Sequence, residues 1–224
     1  MGNKGTASKA WRRMFLFFLL CAAGLMAALW LGHKKEEGSW KFLVLSAQGE
    51  LTYEVQEQLA ALPGLVSIGP VCAGEMEIKL DGLQKMVPVL GVELDKFPFH
   101  LSCSAGAVSY GNRLPLVLGN GSLDGFEDEY QTAATKRQKQ LILSGQVQAI
   151  TVEGETEGVL LGVNGTGKQP DSRIYGERTK VEALLEQQEK TLRQGVWLVI
   201  SGRKNADTVR GALEQADFLE CSEF

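Results

Sequence analysis

Histidine is almost absent from this chain, and so are the catalytic and metal-binding patterns that depend on it. The two histidines are His33 and His100, and neither a Cys-x-x-Cys nor a His-Glu-x-x-His motif occurs. Ser102 and Cys103 lie close to His100, but an extended chain would place His100 and Cys103 on opposite faces. A nucleophile and its base must lie within hydrogen-bonding reach of each other. We therefore predict no catalytic, cofactor-binding or metal-binding residue, no cofactor, and a protein that is not an enzyme.

Cysteine is scarce as well. Of the four cysteines, Cys72, Cys103 and Cys221 follow the first 32 residues, and three thiols cannot all pair with one another. A Cys72–Cys103 disulfide is the most plausible pairing, and buried free thiols are the alternative. The sequence leaves this choice open.

A complete phosphate-binding loop is also lacking. Gly162–Lys168 has the spacing of such a loop, but Gln169 stands where a serine or threonine would hold magnesium. Pro170 and Asp171 then oppose the helix whose N-terminus would bind the phosphate. We interpret this segment as a glycine-rich hairpin.

Acidic residues are missing from the first 32 positions, which carry four bases instead. Met14–Leu31 is a run of 18 residues without a charge, close to the roughly 20 that a helix needs to cross a bilayer. We predict a cytoplasmic arm at 1–13, a transmembrane helix at 14–32 and an exported chain beyond it. An uncleaved anchor is favoured over a cleaved signal peptide, because the run exceeds the usual apolar region of roughly 7–15 residues.

The chain that follows the apolar run is acidic and of ordinary composition. It holds all 27 Asp and Glu but only 19 of the 23 Lys and Arg, which is a net charge of −8. We therefore expect no nucleic-acid partner. The 44% apolar content supports a packed core, and about 185 residues suffice for one or two small domains.

The exported chain begins with alternating strands and helices. Ser39–Ala47 and Leu65–Cys72 are apolar runs rich in β-forming residues, and the segment 51–62 between them has the periodicity of a helix. Pro70 indicates that the second strand lies at a sheet edge or contains a bulge. A hairpin follows, with strands over 75–80 and 85–94 about an Asp81-Gly82 turn.

The middle of the chain is turn-rich, and its end repeats the beginning. Apolar runs in the middle predict strands at 114–118, 140–143, 147–152 and 158–163, with a loop or short helix over 124–139. The end predicts strand 173–175, helix 179–192, strand 196–201, helix 206–216 with Asn205 as N-cap, and strand 218–221. We predict an α+β fold: an α/β lobe over 39–94 and 171–224, interrupted by a β-rich insertion over 95–170.

Several short motifs occur in a set order along this exported chain. A helix leads through Leu62–Val66 into a strand, and Lys85–Asp95 is a further strand that Phe97 follows. Leu116–Gly119 comes next, and then Arg173–Tyr175 and Trp197–Ser201, each followed by a predicted helix. In this order the motifs resemble the exported domain of MacB–FtsX-type ABC transporter permeases.

The resemblance implies a transmembrane helix followed by a porter-like α/β lobe that a mainly-β lobe interrupts. Members of that family have further spanning helices and work with a nucleotide-binding domain, and residues 1–224 contain neither pattern. We therefore expect a single-pass cell-membrane protein with a cytoplasmic N-terminus and a non-catalytic extracytoplasmic domain. It would be a subunit or accessory of an ABC transporter system. Its expected partners are the lipid bilayer and, by protein–protein contact, a permease, an ATPase or another envelope protein.

Three alternatives stay open at this point. The protein could be a membrane-anchored envelope assembly factor or ligand-binding protein. It could be an exported enzyme that uses polar groups near His100 and Ser102. It could also be a truncated permease.

Overall fold

The structure is a computed structural model that describes residues 38–98, 110–144, 149–164, 172–216 and 219–223. The predicted arm at 1–13 and the predicted transmembrane helix at 14–32 lie outside these ranges, as do both histidines, Ser102 and Cys103. Within the described ranges, no helix has the length and apolar character needed to span a membrane.

The described residues form an α+β fold with nine strands and four short helices, which confirms the predicted class. The strands are β1 (Ser39–Ser46), β2 (Leu65–Leu80), β3 (Leu83–Val92), β4 (Leu114–Gly119), β5 (Ile150–Val152), β6 (Thr156–Asn164), β7 (Ile174–Glu177), β8 (Arg193–Ser201) and β9 (Leu219–Glu223). The helices are α1 (Tyr53–Ala60), α2 (Lys136–Leu143), α3 (Arg178–Gln187) and α4 (Arg203–Glu214).

All nine strands belong to one mixed sheet, in the order β3-β7-β4-β6-β5-β2-β8-β1-β9. Because β2 also pairs with β3, the first six strands of this order close into a ring. Strand β2 belongs to both parts of the sheet. Its residues 72–80 pair with β3 in the ring, and its residues 65–73 pair with β8 in the open part.

One prediction about the sheet needs correction. The strands predicted over 65–72 and 75–80 are one continuous strand of 16 residues, β2. In the ring, the three strands of the segment 95–170 lie side by side in the order β4-β6-β5, and they pair at both ends with strands from the flanking segments: β4 with β7, and β5 with β2. The β-rich segment is therefore built into the same sheet as its neighbours, and its limits as a domain stay a prediction.

Two local predictions were also wrong. Residues 140–143 belong to helix α2, because Thr135 and Gln138 form a capping box that starts a helix here. Gly202 is the N-cap of α4 with φ 84°, and the predicted cap Asn205 lies inside the helix and donates to the Ser201 carbonyl at 2.8 Å. The predicted glycine-rich hairpin lies largely outside the described residues and stays a prediction.

The turn between β2 and β3 confirms its prediction. Asp81 and Gly82 both have positive φ, 48° and 85°, and Leu80 pairs with Leu83 across them. This is the mirror-image turn that matches the twist of a hairpin. Pro70 lies where β8 is the one described strand that pairs with β2, which agrees with the first of the two predicted alternatives, a sheet edge.

Three hydrophobic clusters hold these elements together. The first fills the ring, and residues of α2 and α3 close it, with Met76, Ile78, Leu116, Ile142 and Val181 among its members. The second lies between β1 and β8 on one side and α1 and α4 on the other, and it includes Phe42, Leu59, Leu198 and Val209. The third joins the opposite face of β1 and β8 to the outside of the ring, through Leu43, Leu90, Tyr175 and Trp197.

Strands β1 and β8 approach each other so closely at Gly195 that a side chain should not fit there. This residue pairs with Leu45, and a Cβ atom added to it would overlap the Val44 carbonyl oxygen. Because that oxygen belongs to the backbone, no rotamer change relieves the overlap. We expect Gly195→Ala to lower the free energy of unfolding by about 2–3 kcal/mol in chemical denaturation of the purified chain.

Gly211 in α4 provides the matched control, because no heavy atom outside its immediate surroundings in the helix lies within 4 Å of the added Cβ. Gly211→Ala should raise the free energy of unfolding by about 0.5–1 kcal/mol through helix propensity. A Gly195→Ala variant as stable as the parent would contradict the register of β1 with β8.

Candidate functional site

The first half of β2 is left uncovered. Residues 65–71 pair with β8 on one edge and with no described strand on the other, because β3 joins β2 only from Cys72 onward. Helices α1 and α4 cover β1 and β8, while α3 packs further along on β2 and β3. A cavity of about 550 Å³ therefore lies between α1 and α3. We call it the β2 groove; its lining is Leu51, Gln56, Glu57, Ala60, Ile68, Gly69, Pro70, Val71, Arg178, Glu182, Gln194, Gly195 and Val196.

The floor of the β2 groove is apolar and open to solvent. Facing residues of an antiparallel pair lie on the same side of a sheet. Ile68 faces Leu198 and Pro70 faces Val196. Leu198 and Val196 are buried, whereas Ile68 is 38% exposed and Pro70 is exposed too. Val66, at the bulge where β2 begins, is 64% exposed. The chain's own helices thus leave an apolar strip of β2 uncovered.

Helix α1 forms one wall of the groove, and Leu51, just before its cap, is hydrogen-bonded to β8. The Leu51 N–H donates to Gln194 Oε1 at 3.2 Å, and Gln56 Nε2 donates to the Leu51 carbonyl at 3.0 Å. The Thr52 hydroxyl accepts from the Val55 N–H and caps the helix. These bonds hold α1 beside β2, so the groove is pre-formed.

Helix α3 forms the other wall and carries its charges. Arg178 Nη1 and Glu182 Oε2 pair at 3.0 Å, and about a quarter of each side chain is exposed, 27% and 26%. Arg178 Nε is buried and has no hydrogen-bond acceptor among the described residues. A carbonyl or carboxylate oxygen that entered the groove could accept from this N–H, which would otherwise stay buried and unpaired.

The Cys72 thiol next to this wall has low reactivity. Cys72 is a buried free thiol, and its Sγ donates to the Arg178 carbonyl at 3.6 Å. Burial, assisted by the negative charge of Glu182, raises the pKa of Cys72 from 9.0 to about 12. The reactive thiolate is therefore almost unpopulated at neutral pH. Of the two alternatives that the sequence left open for Cys72, the structure has the buried free thiol, and Cys103 lies outside the described residues.

The open edge of β2 adds backbone hydrogen bonding to the apolar floor. An edge strand carries N–H and C=O groups that no neighbouring strand satisfies. Residues 65–71 form such an edge within the described part of the chain. An extended segment of another protein can pair with an edge of this kind while its side chains enter the adjacent groove. The arrangement is suited to peptide binding.

Charged groups elsewhere mostly pair with one another. Lys190 Nζ lies 2.6 Å from Glu153 Oε1, and Lys139 Nζ lies 2.7 Å from Asp124 Oδ1. A second cavity of about 590 Å³ beside β1, β2 and β3 is lined by Lys190 and by Arg193, which contacts Glu220 at 2.8 Å. Over the described ranges, no group of three His, Cys, Asp or Glu side chains could hold a metal ion.

The β2 groove was not predicted from the sequence. The one signal for it was Pro70, which indicated that its strand lies at an edge, but the sequence did not show which face stays uncovered. His100 and Ser102, the residues of the enzyme alternative, lie outside the described residues, so that alternative stays untested.

Comparison with known proteins gives a likeness in structure and none in sequence. No known protein family matches the sequence, and no curated protein matches it. Among solved structures, the extracellular domain of the noncanonic ABC-type transporter YknZ from Gram-positive bacteria is similar to this chain, with a TM-score of 0.40 and 10% identity. The match covers 83% of this chain and 100% of that domain. Nothing about function follows from a likeness at this score and identity.

The surroundings of the two described cysteines predict different reactivities. At pH 8, iodoacetamide should modify the exposed Cys221 and leave Cys72 intact, because the raised pKa and the burial of Cys72 both suppress its thiolate. In denaturant both should react at similar rates. Peptide mass spectrometry after timed alkylation measures this, and rapid modification of native Cys72 would contradict the burial described here.

Proposed function

We propose that this chain is a single-span membrane protein whose extracytoplasmic domain, 39–224, binds another protein without catalysing a reaction. The partner would be a subunit of an ABC transporter system or another envelope protein. The observation that carries the proposal is the β2 groove: a pre-formed apolar cleft beside a strand edge that no described strand covers.

The groove supports binding through two independent physical terms. Its apolar floor at Ile68 and Pro70 would be removed from water by a partner, which is favourable in proportion to the buried area. Its open edge can form main-chain hydrogen bonds with an extended segment. The buried Arg178 Nε adds a hydrogen-bond donor. It has no acceptor among the described residues, so an acceptor on the partner would satisfy it.

The membrane and transporter parts of the proposal are supported by the sequence. The uncharged run Met14–Leu31, with bases and no acids before it, favours an anchor with the following domain outside the cell. The motif order from Leu62–Val66 to Trp197–Ser201 resembles the exported domain of MacB–FtsX-type permeases. The acidic balance of the exported part argues against a nucleic-acid partner.

Co-purification with the full chain from native membranes tests the proposal. A lysine at Ile68 would place a charge on the apolar floor, so we expect Ile68→Lys to reduce recovery of the bound partner by at least tenfold. Quantitative mass spectrometry of proteins retained by the tagged chain measures the loss.

Leu141→Lys is the matched control, because Leu141 in α2 is 42% exposed, close to the 38% of Ile68, and lies away from the groove. The control variant should retain its partner. Loss of the partner from both variants, or from neither, would argue against the β2 groove as the binding surface. Recovery of the intact parent with no partner protein would refute the proposed function itself.

A further inference from the structure

One end of the sheet is marked by three glycines that meet there. The Gly202 N–H donates to the Gly38 carbonyl at 3.1 Å, and the Ser201 N–H donates to the Gly64 carbonyl at 2.8 Å. Strands β1 and β2 both begin at this end of the sheet, and β8 ends at it. Ser39 of β1 faces Ser201 of β8, and Leu65 of β2 faces Ile200 of β8. We call this surface, made by residues 38–41, 61–67 and 199–205, the Gly38 end.

The Gly38 end has a charge opposite to that of the domain as a whole. Its charged residues are Lys41, Arg203 and Lys204, and its three ranges contain no Asp or Glu; Asp207, one helical turn further on, lies 4.0 Å from Arg203 Nε. Arg203 and Lys204 are exposed in the first turn of α4, and the exposed Val66 lies on the same end. The chain after residue 32 has a net charge of −8, so this basic end is a local exception.

A short tether joins the Gly38 end to the predicted anchor. Five residues, 33–37, separate Gly32 at the end of the apolar segment from Gly38. Five extended residues span at most about 18 Å. If the segment 14–32 crosses the bilayer, the Gly38 end therefore cannot lie far from the headgroups, and the Asp81-Gly82 turn lies at the opposite end of the 16-residue strand β2.

We propose that the Gly38 end rests on the membrane and that Arg203 and Lys204 contact anionic phospholipid headgroups. The inference rests on the proposed membrane anchor. Bases held near an anionic surface attract it over about one Debye length, roughly 8 Å at physiological ionic strength. The tether spans at most about 18 Å, so it allows both side chains to come within that distance of the headgroups. The open edge of β2 starts at the same end, at Leu65, so a partner could reach the β2 groove from the membrane surface.

The full chain in lipid nanodiscs tests the contact by amide hydrogen exchange. Segments 61–67 and 199–205 should exchange at least threefold more slowly in nanodiscs that contain phosphatidylglycerol than in nanodiscs of phosphatidylcholine alone. The charge-reversed variant R203E/K204E should lose this difference. Glutamate in the first turn of a helix is favourable, so the double variant should fold normally.

Lys136 and Arg137 provide the matched control, since they are exposed bases in the first turn of α2. Helix α2 lies near the opposite end of the molecule: Lys139 pairs with Asp124, and Gln84 of the hairpin bridges to Glu127. K136E/R137E should therefore keep the lipid-dependent protection. In 0.5 M salt the parent should lose it, because the Debye length falls to roughly 4 Å.

Each other outcome counts against the inference. Equal exchange in both kinds of nanodisc, by a chain that is incorporated, would overturn the headgroup contact and leave the anchor intact. Equal protection in detergent micelles without anionic lipid would point to a protein contact instead. Failure of the chain to incorporate at all would overturn the anchor and this inference together.

Discussion

The double role of strand β2 is the constraint on which the rest of the structure depends. Its second half closes the six-stranded ring by pairing with β3, and its first half carries β8, β1 and β9. Because the continuous strand β2 belongs to both the ring and the open sheet, it fixes the orientation of one relative to the other. The third hydrophobic cluster fills the space between them. A break in β2 would separate the two halves of the fold.

The β2 groove follows from the same arrangement. Once β2 leaves the ring, β3 no longer pairs with it, so residues 65–71 have β8 alone as a neighbour among the described strands. Helix α1 is only eight residues long and is tied to β8 through Leu51 and Gln194, so it does not reach across to α3. An apolar strip and a free edge are therefore consequences of topology. An apolar strip beside an unpaired strand edge is the kind of surface to which an extended peptide can bind.

Prediction succeeded where the cause was local. The Asp81-Gly82 turn, the apolar strand of Val196–Ser201 and the helix that buries Val209 and Leu213 all follow from neighbouring residues. It failed at Gln140–Leu143, where a Thr135 capping box started a helix in residues whose composition favours a strand. It failed again at Asn205, because the preceding Gly202 adopts a positive φ and takes the capping position.

The amino-acid sequence by itself determined the α+β class and most strand and helix positions, since these depend on residue types and short-range periodicity. Only the tertiary structure decided that the β-rich middle shares one sheet with its flanks and that half of β2 stays uncovered. Strand pairing between β2 and β5 joins residues 70 to 74 positions apart in the chain, and pairing between β4 and β7 joins residues 56 to 60 positions apart. No local pattern encodes such a choice of neighbour, because every apolar strand offers the same backbone groups.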